Sequence, residues 1–126
     1  MTRVTVVDPY APEPVGQYSH AAFRADGAVL LSGQTPSDPA TGKLIDGDVS
    51  EQTRQVFANL SSVLTAAGRT LDDVVKVNVY LVDMADFAAM KSVYSQIFAA
   101  PYPARTTVAV GGLPLGARVE IALVAG

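Results

Sequence analysis

Pro103-Ala104-Arg105-Thr106-Thr107-Val108-Ala109-Val110, then Gly111-Gly112-Leu113-Pro114, then Arg118-Val119-Glu120-Ile121-Ala122-Leu123-Val124, is the stretch on which the fold turns. Two runs rich in β-branched and apolar residues flank a Gly/Pro loop, and each reads as a strand. Side chains alternate across a strand. Arg105 and Thr107 therefore share one face of the first run, and Arg118 and Glu120 one face of the second. Read as neighbours joined by the loop, the two runs set a cation and a carboxylate toward one crevice. Those are the parts of a small site for a carboxylated molecule and a water.

Upstream, the pattern supplies a scaffold. Val4 to Val7 is a short strand ended by Asp8-Pro9, and three prolines keep residues 9–16 as loop. Gln17 to Ala25 reads as extended, Asp26-Gly27 as a hairpin turn, and Ala28 to Ser32 as the returning strand. Asp48-Val49-Ser50-Glu51 opens a helix, with Asp48 or Ser50 as N-cap. Val56, Leu60 and Leu64 form its apolar stripe, and Gly68 suits the position just past its end. Val74 to Leu81 is a strand with Val75, Val77, Val79 and Leu81 on one face and Lys76, Asn78 and Tyr80 on the other. A second helix runs from about Met84 to Phe98, and Pro101 and Pro103 block its continuation.

Strands, helix, strand, helix, strands give an α+β fold, a mostly antiparallel sheet with both helices on one face. The other face is expected to carry Val74, Asn78, Tyr80, Thr107, Ala109, Ala122 and Val124. That face is too apolar for open water, and contact between subunits is its natural use.

The chain has 126 residues, enough for one domain, 1–126, with a real core. Only 17% are charged, which suggests surface hidden in an assembly. A formal charge of −3 leaves no basic stripe for phosphates, so no nucleic-acid partner is expected. The sequence contains no cysteine and one histidine, which excludes disulfides, thiolate chemistry and the common metal clusters. No apolar run approaches a membrane span and the first residues lack a signal-peptide pattern, so a cytoplasmic protein is expected.

Further residues fall into a recognisable order. They include Pro14-Val15-Gly16-Gln17-Tyr18-Ser19-His20, Leu31-Ser32-Gly33-Gln34, Asp38-Pro39, Gln52-Thr53, Asn59, Ala67-Gly68, Asp83-Met84-Ala85-Asp86-Phe87, Tyr94, Pro103-Ala104-Arg105-Thr106, Leu113-Pro114 and Val119-Glu120-Ile121. With these motifs the chain resembles the YjgF/RidA family of enamine/imine deaminases over nearly its whole length.

The resemblance implies a chorismate-mutase-like fold assembled as a homotrimer, with sheets lining a central β-barrel and three clefts between subunits. It implies hydrolysis of 2-aminoacrylate-type enamines and imines to 2-keto acids and ammonia, without a cofactor. A non-catalytic ligand-binding or regulatory trimer using the same cleft is the alternative, and an RNA-cleaving role fits the acidic balance poorly.

Residue by residue, Arg105 matches the family's carboxylate-binding arginine, a planar fork suited to a planar anion. In isolation it reads as a structural ion pair. Glu120 matches the glutamate that orients water or relays its proton, and reads otherwise as a partner for Arg118 or Lys76. Thr107 stands where well-known members carry cysteine, so its backbone carbonyl is the useful group. Tyr18, Ser32 and Gly33 match pocket positions, with Tyr18 covering the substrate, Ser32 donating to it and Gly33 allowing close approach. Lys91 departs from a usual asparagine and reads as a solvated helix lysine, or as a second cation if it reaches the cleft. His20 replaces a usual glutamine and reads as structural.

Overall fold

The computed structural model describes residues 2–126. Six strands form one sheet: β1 (Thr5–Val6), β2 (Ala21–Phe23), β3 (Val29–Gln34), β4 (Val74–Leu81), β5 (Ala104–Ala109) and β6 (Val119–Ala125). Their spatial order is β1-β2-β3-β6-β4-β5, and only the β4–β5 pair is parallel. Two helices, α1 (Val49–Ala66) and α2 (Phe87–Ile97), pack on one face of it.

Asp48 is the N-cap of α1, its side chain accepting from the Glu51 N–H at 2.9 Å. Gly68 follows the helix at φ +74°, a left-handed conformation that glycine adopts without a Cβ penalty. Buried Val56, Phe57, Leu60, Val63 and Leu64 pack with Val77, Val79, Leu81, Val119, Ile121 and Leu123 from the sheet, and Met90 and Tyr94 from α2. Phe57, Tyr94 and Phe98 meet edge to face or tilted, with ring centres 4.9–6.2 Å apart.

Three expectations need correction. β5 and β6 are not neighbours: β4 lies between them, paired antiparallel to β6 and parallel to β5. The Gly111–Pro114 loop is therefore a crossover, not a hairpin turn. A bulge on β4 puts Val74 in the core and leaves Val75 54% exposed, which breaks the alternation there. Thr107 and Ala109 align with Val79 and Leu81, so they belong to the helix side of the sheet and not to its open face. The open face carries Leu30, Lys76, Asn78, Tyr80, Thr106, Val108, Glu120, Ala122 and Val124, by the register of β3, β6, β4 and β5.

Candidate active site

Arg105 opens toward α2. Its register partner is Val77, a core residue, so the guanidinium rises on the helix side of edge strand β5. There it lies on two aromatic faces, with Cζ 4.7 Å from the Tyr94 ring centre and 5.6 Å from that of Phe87. Such contacts contribute about 0.5–2 kcal/mol each and leave the fork of donors unspent. Among the described residues Arg105 makes no ion pair or hydrogen bond. Burial pushes the Tyr94 phenol up from its ordinary range, while the Arg105 charge pulls it down. The Tyr94 hydroxyl and Thr107 Oγ1 are buried without a hydrogen-bond partner. Orphaned polar atoms beside an unpaired guanidinium are costly unless something else fills the space. Lys91, Ser95 and Tyr102 complete the walls of this pocket, about 340 Å³.

The main chain of β5 adds a further group. Val110 N–H donates to Leu81 O at 2.8 Å, so the even-numbered residues direct their peptide groups toward β4. By alternation the carbonyls of Arg105 and Thr107 point out of the free edge. The threonine side chain leaves that carbonyl in place.

Glu120 stands on the other side of the sheet. Its register partner is Tyr80, on the face opposite Val77. Its carboxyl lies against the backbone of Gly33, where a Cβ would sit 2.5 Å from Oε2 and 2.9 Å from Cδ. Only glycine admits that approach. A bulge in β3 between Leu31 and Gln34 shapes it: the strand advances three residues while β6 advances two. Burial raises the Glu120 pKa above its ordinary value. The carboxyl has no ion pair among the described residues, because Arg118 is spent on Asp86 at 2.6 Å and Lys76 donates to Thr106 Oγ1 at 2.7 Å.

Tyr18, Ser32, Gly33 and Glu120 line one pocket of about 270 Å³. Tyr18 is 46% exposed and its hydroxyl accepts weakly from Val15 N–H at 3.4 Å. The Ser32 hydroxyl donates to Ser19 O at 2.6 Å, so it can accept from a ligand but not donate, contrary to expectation. Polar contacts from buried side chains hold this pocket in shape. Gln52 Oε1 accepts from Arg118 N–H, fixing the start of β6, and Asn59 Nδ2 donates to Thr35 O and Ser37 O. His20, fully buried, accepts at Nδ1 from Asp8 N–H (2.8 Å) and therefore donates from Nε2 to Pro12 O (2.7 Å). It anchors the loop that leads to Tyr18 and stands outside the pocket.

Within one chain, then, Arg105 and Thr107 sit on one face of the sheet, and Glu120, Gly33, Ser32 and Tyr18 open on the other. The expectation of one crevice shared by Arg105 and Glu120 of a single chain fails. Sequence reasoning also missed the Phe87–Tyr94 platform beneath Arg105, although their spacing of seven residues, two helical turns, carries that signal. It missed Leu115 as well, which lines the Glu120 pocket at φ +62° and is 59% exposed.

The profile of the family described as endoribonuclease L-PSP matches residues 9–126. A RutC family protein of Pyrococcus horikoshii is 47% identical over 115 residues, covering 91% of this chain and 90% of that protein. A 2-iminobutanoate/2-iminopropanoate deaminase of Capra hircus is 43% identical over 115 residues, covering 91% and 83%. The crystal structure of RidA from the Antarctic bacterium Psychrobacter sp. superposes with a TM-score of 0.92 at 42% identity, covering 98% of each chain.

Proposed function

The chain belongs to the YjgF/RidA family, described as endoribonuclease L-PSP, and on that footing we propose that it is an imine deaminase whose site forms between protomers. The observation that carries this reading is the pair of unfinished half-sites. One face offers an unpaired guanidinium beside orphaned hydroxyls, and the other a half-buried carboxylate on a glycine wall. Each supplies what the other lacks. A homotrimer with its sheets around a central barrel brings the Arg105 edge of one protomer to the Glu120 pocket of the next. The open face, which mixes Leu30, Val108, Ala122 and Val124 with polar residues, supports that assembly.

In the shared cleft Arg105 holds the substrate carboxylate bidentately and turns the imine carbon toward Glu120. Glu120, with the Thr107 carbonyl, holds a water and takes its proton as the oxygen bonds to the imine carbon. The former C=N electron pair goes to nitrogen, giving a carbinolamine. Glu120 returns the proton to that nitrogen to complete the carbinolamine, the hydroxyl proton then passes to the same nitrogen, and as the C=O bond forms the C–N bond breaks and ammonia leaves. The balance is imino acid plus water to keto acid plus ammonia, with no change of oxidation state and no cofactor required. A carboxyl whose pKa is raised by burial serves both proton steps better than one at its ordinary value. The formal charge of −3 favours a small metabolite over RNA as substrate. A substrate of that kind suits a cytoplasmic protein.

The test is keto-acid release from 2-aminoacrylate generated in situ by a dehydratase acting on serine. Acceleration over buffer is expected, with Arg105→Ala about a hundredfold slower in kcat/KM, the loss of one good charged contact. No acceleration, or equal rates for the two proteins, refutes it.

A further inference from the structure

Beside Arg105 the same pocket holds a second cation. Lys91 lies one turn beyond Phe87 on α2, with Nζ 5.4 Å from the Phe87 ring centre, while the Arg105 Cζ stands 5.6 Å from that same centre. Both side chains line one pocket of about 340 Å³ with Tyr94, Ser95, Tyr102 and Pro103, and no carboxylate is among its walls. The ion pairs among the described residues are Arg24–Asp26 and Arg118–Asp86, so neither Lys91 nor Arg105 is neutralised within the chain. Two like charges grouped about one aromatic ring repel each other, and the repulsion stands until an anion enters. Tyr94, on whose ring Arg105 rests, is one wall of that pocket.

We propose that Lys91 is a specificity-determining residue that selects 2-imino acids carrying a second carboxylate, one or two methylenes from the imine carbon. Arg105, with its planar fork, takes the carboxylate next to the imine, where orientation governs the chemistry. Lys91, a point charge on a flexible stem, takes the distal carboxylate, where position is less strict. The ring of Phe87 lies within 5.4–5.6 Å of both cations and holds them near one pocket without neutralising either. Monocarboxylic imines satisfy one cation and leave the other facing the substrate side chain. This inference rests on the deaminase reading and goes beyond it by naming the substrate class.

The experiment generates two imines in situ with amino-acid oxidases, one from aspartate and one from alanine. It follows protection from semicarbazide trapping by the full-length protein. The wild type is expected to accelerate hydrolysis of the dicarboxylic imine about tenfold more than that of the monocarboxylic one, the ratio that one added contact gives. Lys91→Gln collapses that ratio toward one, chiefly through KM, and Lys91→Arg restores most of it. Raised salt lowers the ratio in the wild type and not in Lys91→Gln. A ratio near one in the wild type, or one that Lys91→Gln leaves standing, overturns the role of Lys91 while the alanine-derived imine still attests deamination. If neither imine is accelerated, the deaminase reading falls and this inference with it.

Discussion

Mixing two inactive variants should restore activity. Arg105 aligns with Val77 and Glu120 with Tyr80, residues of opposite parity on β4, so one chain turns them to opposite faces of its sheet. If both groups act on one substrate they must come from different protomers. Arg105→Ala and Glu120→Gln should each abolish most turnover as homotrimers. Unfolded, mixed in equal amounts and refolded, they form trimers at random. An intact crevice needs its arginine from the Glu120→Gln chain and its glutamate from the Arg105→Ala chain, so about one crevice in four is complete under cyclic symmetry. Turnover of in situ 2-aminoacrylate should therefore recover to about a quarter of the wild-type rate per protomer, far above either parent. Native mass spectrometry on differently tagged variants reports whether mixed trimers formed. Mixed trimers without recovery would refute the shared cleft, as would full recovery in a chain held monomeric.

Three further outcomes follow from the same geometry. The raised pKa of Glu120 means that the folded state holds that proton more tightly than the unfolded chain. Its contribution to stability is complete below the ordinary carboxyl range and is lost as pH rises through the folded value. Glu120→Gln should thus gain on the wild type in urea midpoint between pH 4 and pH 7, a small gain because the carboxyl is partly solvated, and a constant difference across that range would contradict it. Gly33→Ala places a methyl where the Glu120 carboxyl lies and should shift it by roughly 1 Å, costing about a hundredfold in kcat with the fold retained by circular dichroism. His20→Ala strands the buried Asp8 N–H and Pro12 carbonyl, and should lower unfolding free energy by about 3 kcal/mol in denaturant titrations.

Local structure was legible where it depends on neighbours in sequence. Asp48 caps α1 and Gly68 ends it, and β4 spans Val74–Leu81 as its alternating pattern indicates, because caps and pleats are set within a few residues. Sheet order was not legible. The Gly111-Gly112-Leu113-Pro114 loop carries turn chemistry that suits a hairpin and a crossover equally, and nothing local says that β4 enters between β5 and β6. Alternation tells which residues of one strand share a face but not how two strands are phased. That phase is fixed by register, and the bulges at Val75 and beyond Leu31 reset it. Hence Arg105, Thr107, Glu120, Tyr18, Ser32 and Gly33 could be picked out singly, while their division between two faces could not.

Why neither reactive group is neutralised at home is answered by where the other charges go. Arg118, two residues before Glu120, reaches Asp86 beside α2 with two nitrogens and is held at its backbone by Gln52. Lys76, on the same face as Glu120, is drawn across to Thr106. Asp86, the acid just before the Phe87 platform on which Arg105 rests, is taken by Arg118. An ion pair between Glu120 and Arg118 would cancel the desolvation that lifts the Glu120 pKa, and one between Arg105 and Asp86 would spend the fork that a substrate carboxylate needs. The chain instead seats Arg105 on aromatic faces, which hold a cation without supplying an anion, and seats Glu120 on a glycine, which admits a carboxylate without supplying a counter-charge. Both arrangements cost stability in an isolated protomer, and under the proposed function both would be relieved by the same event, the arrival of the neighbouring protomer and a carboxylated substrate. The sheet that forms the scaffold also keeps its acid and its cation from meeting within a single chain.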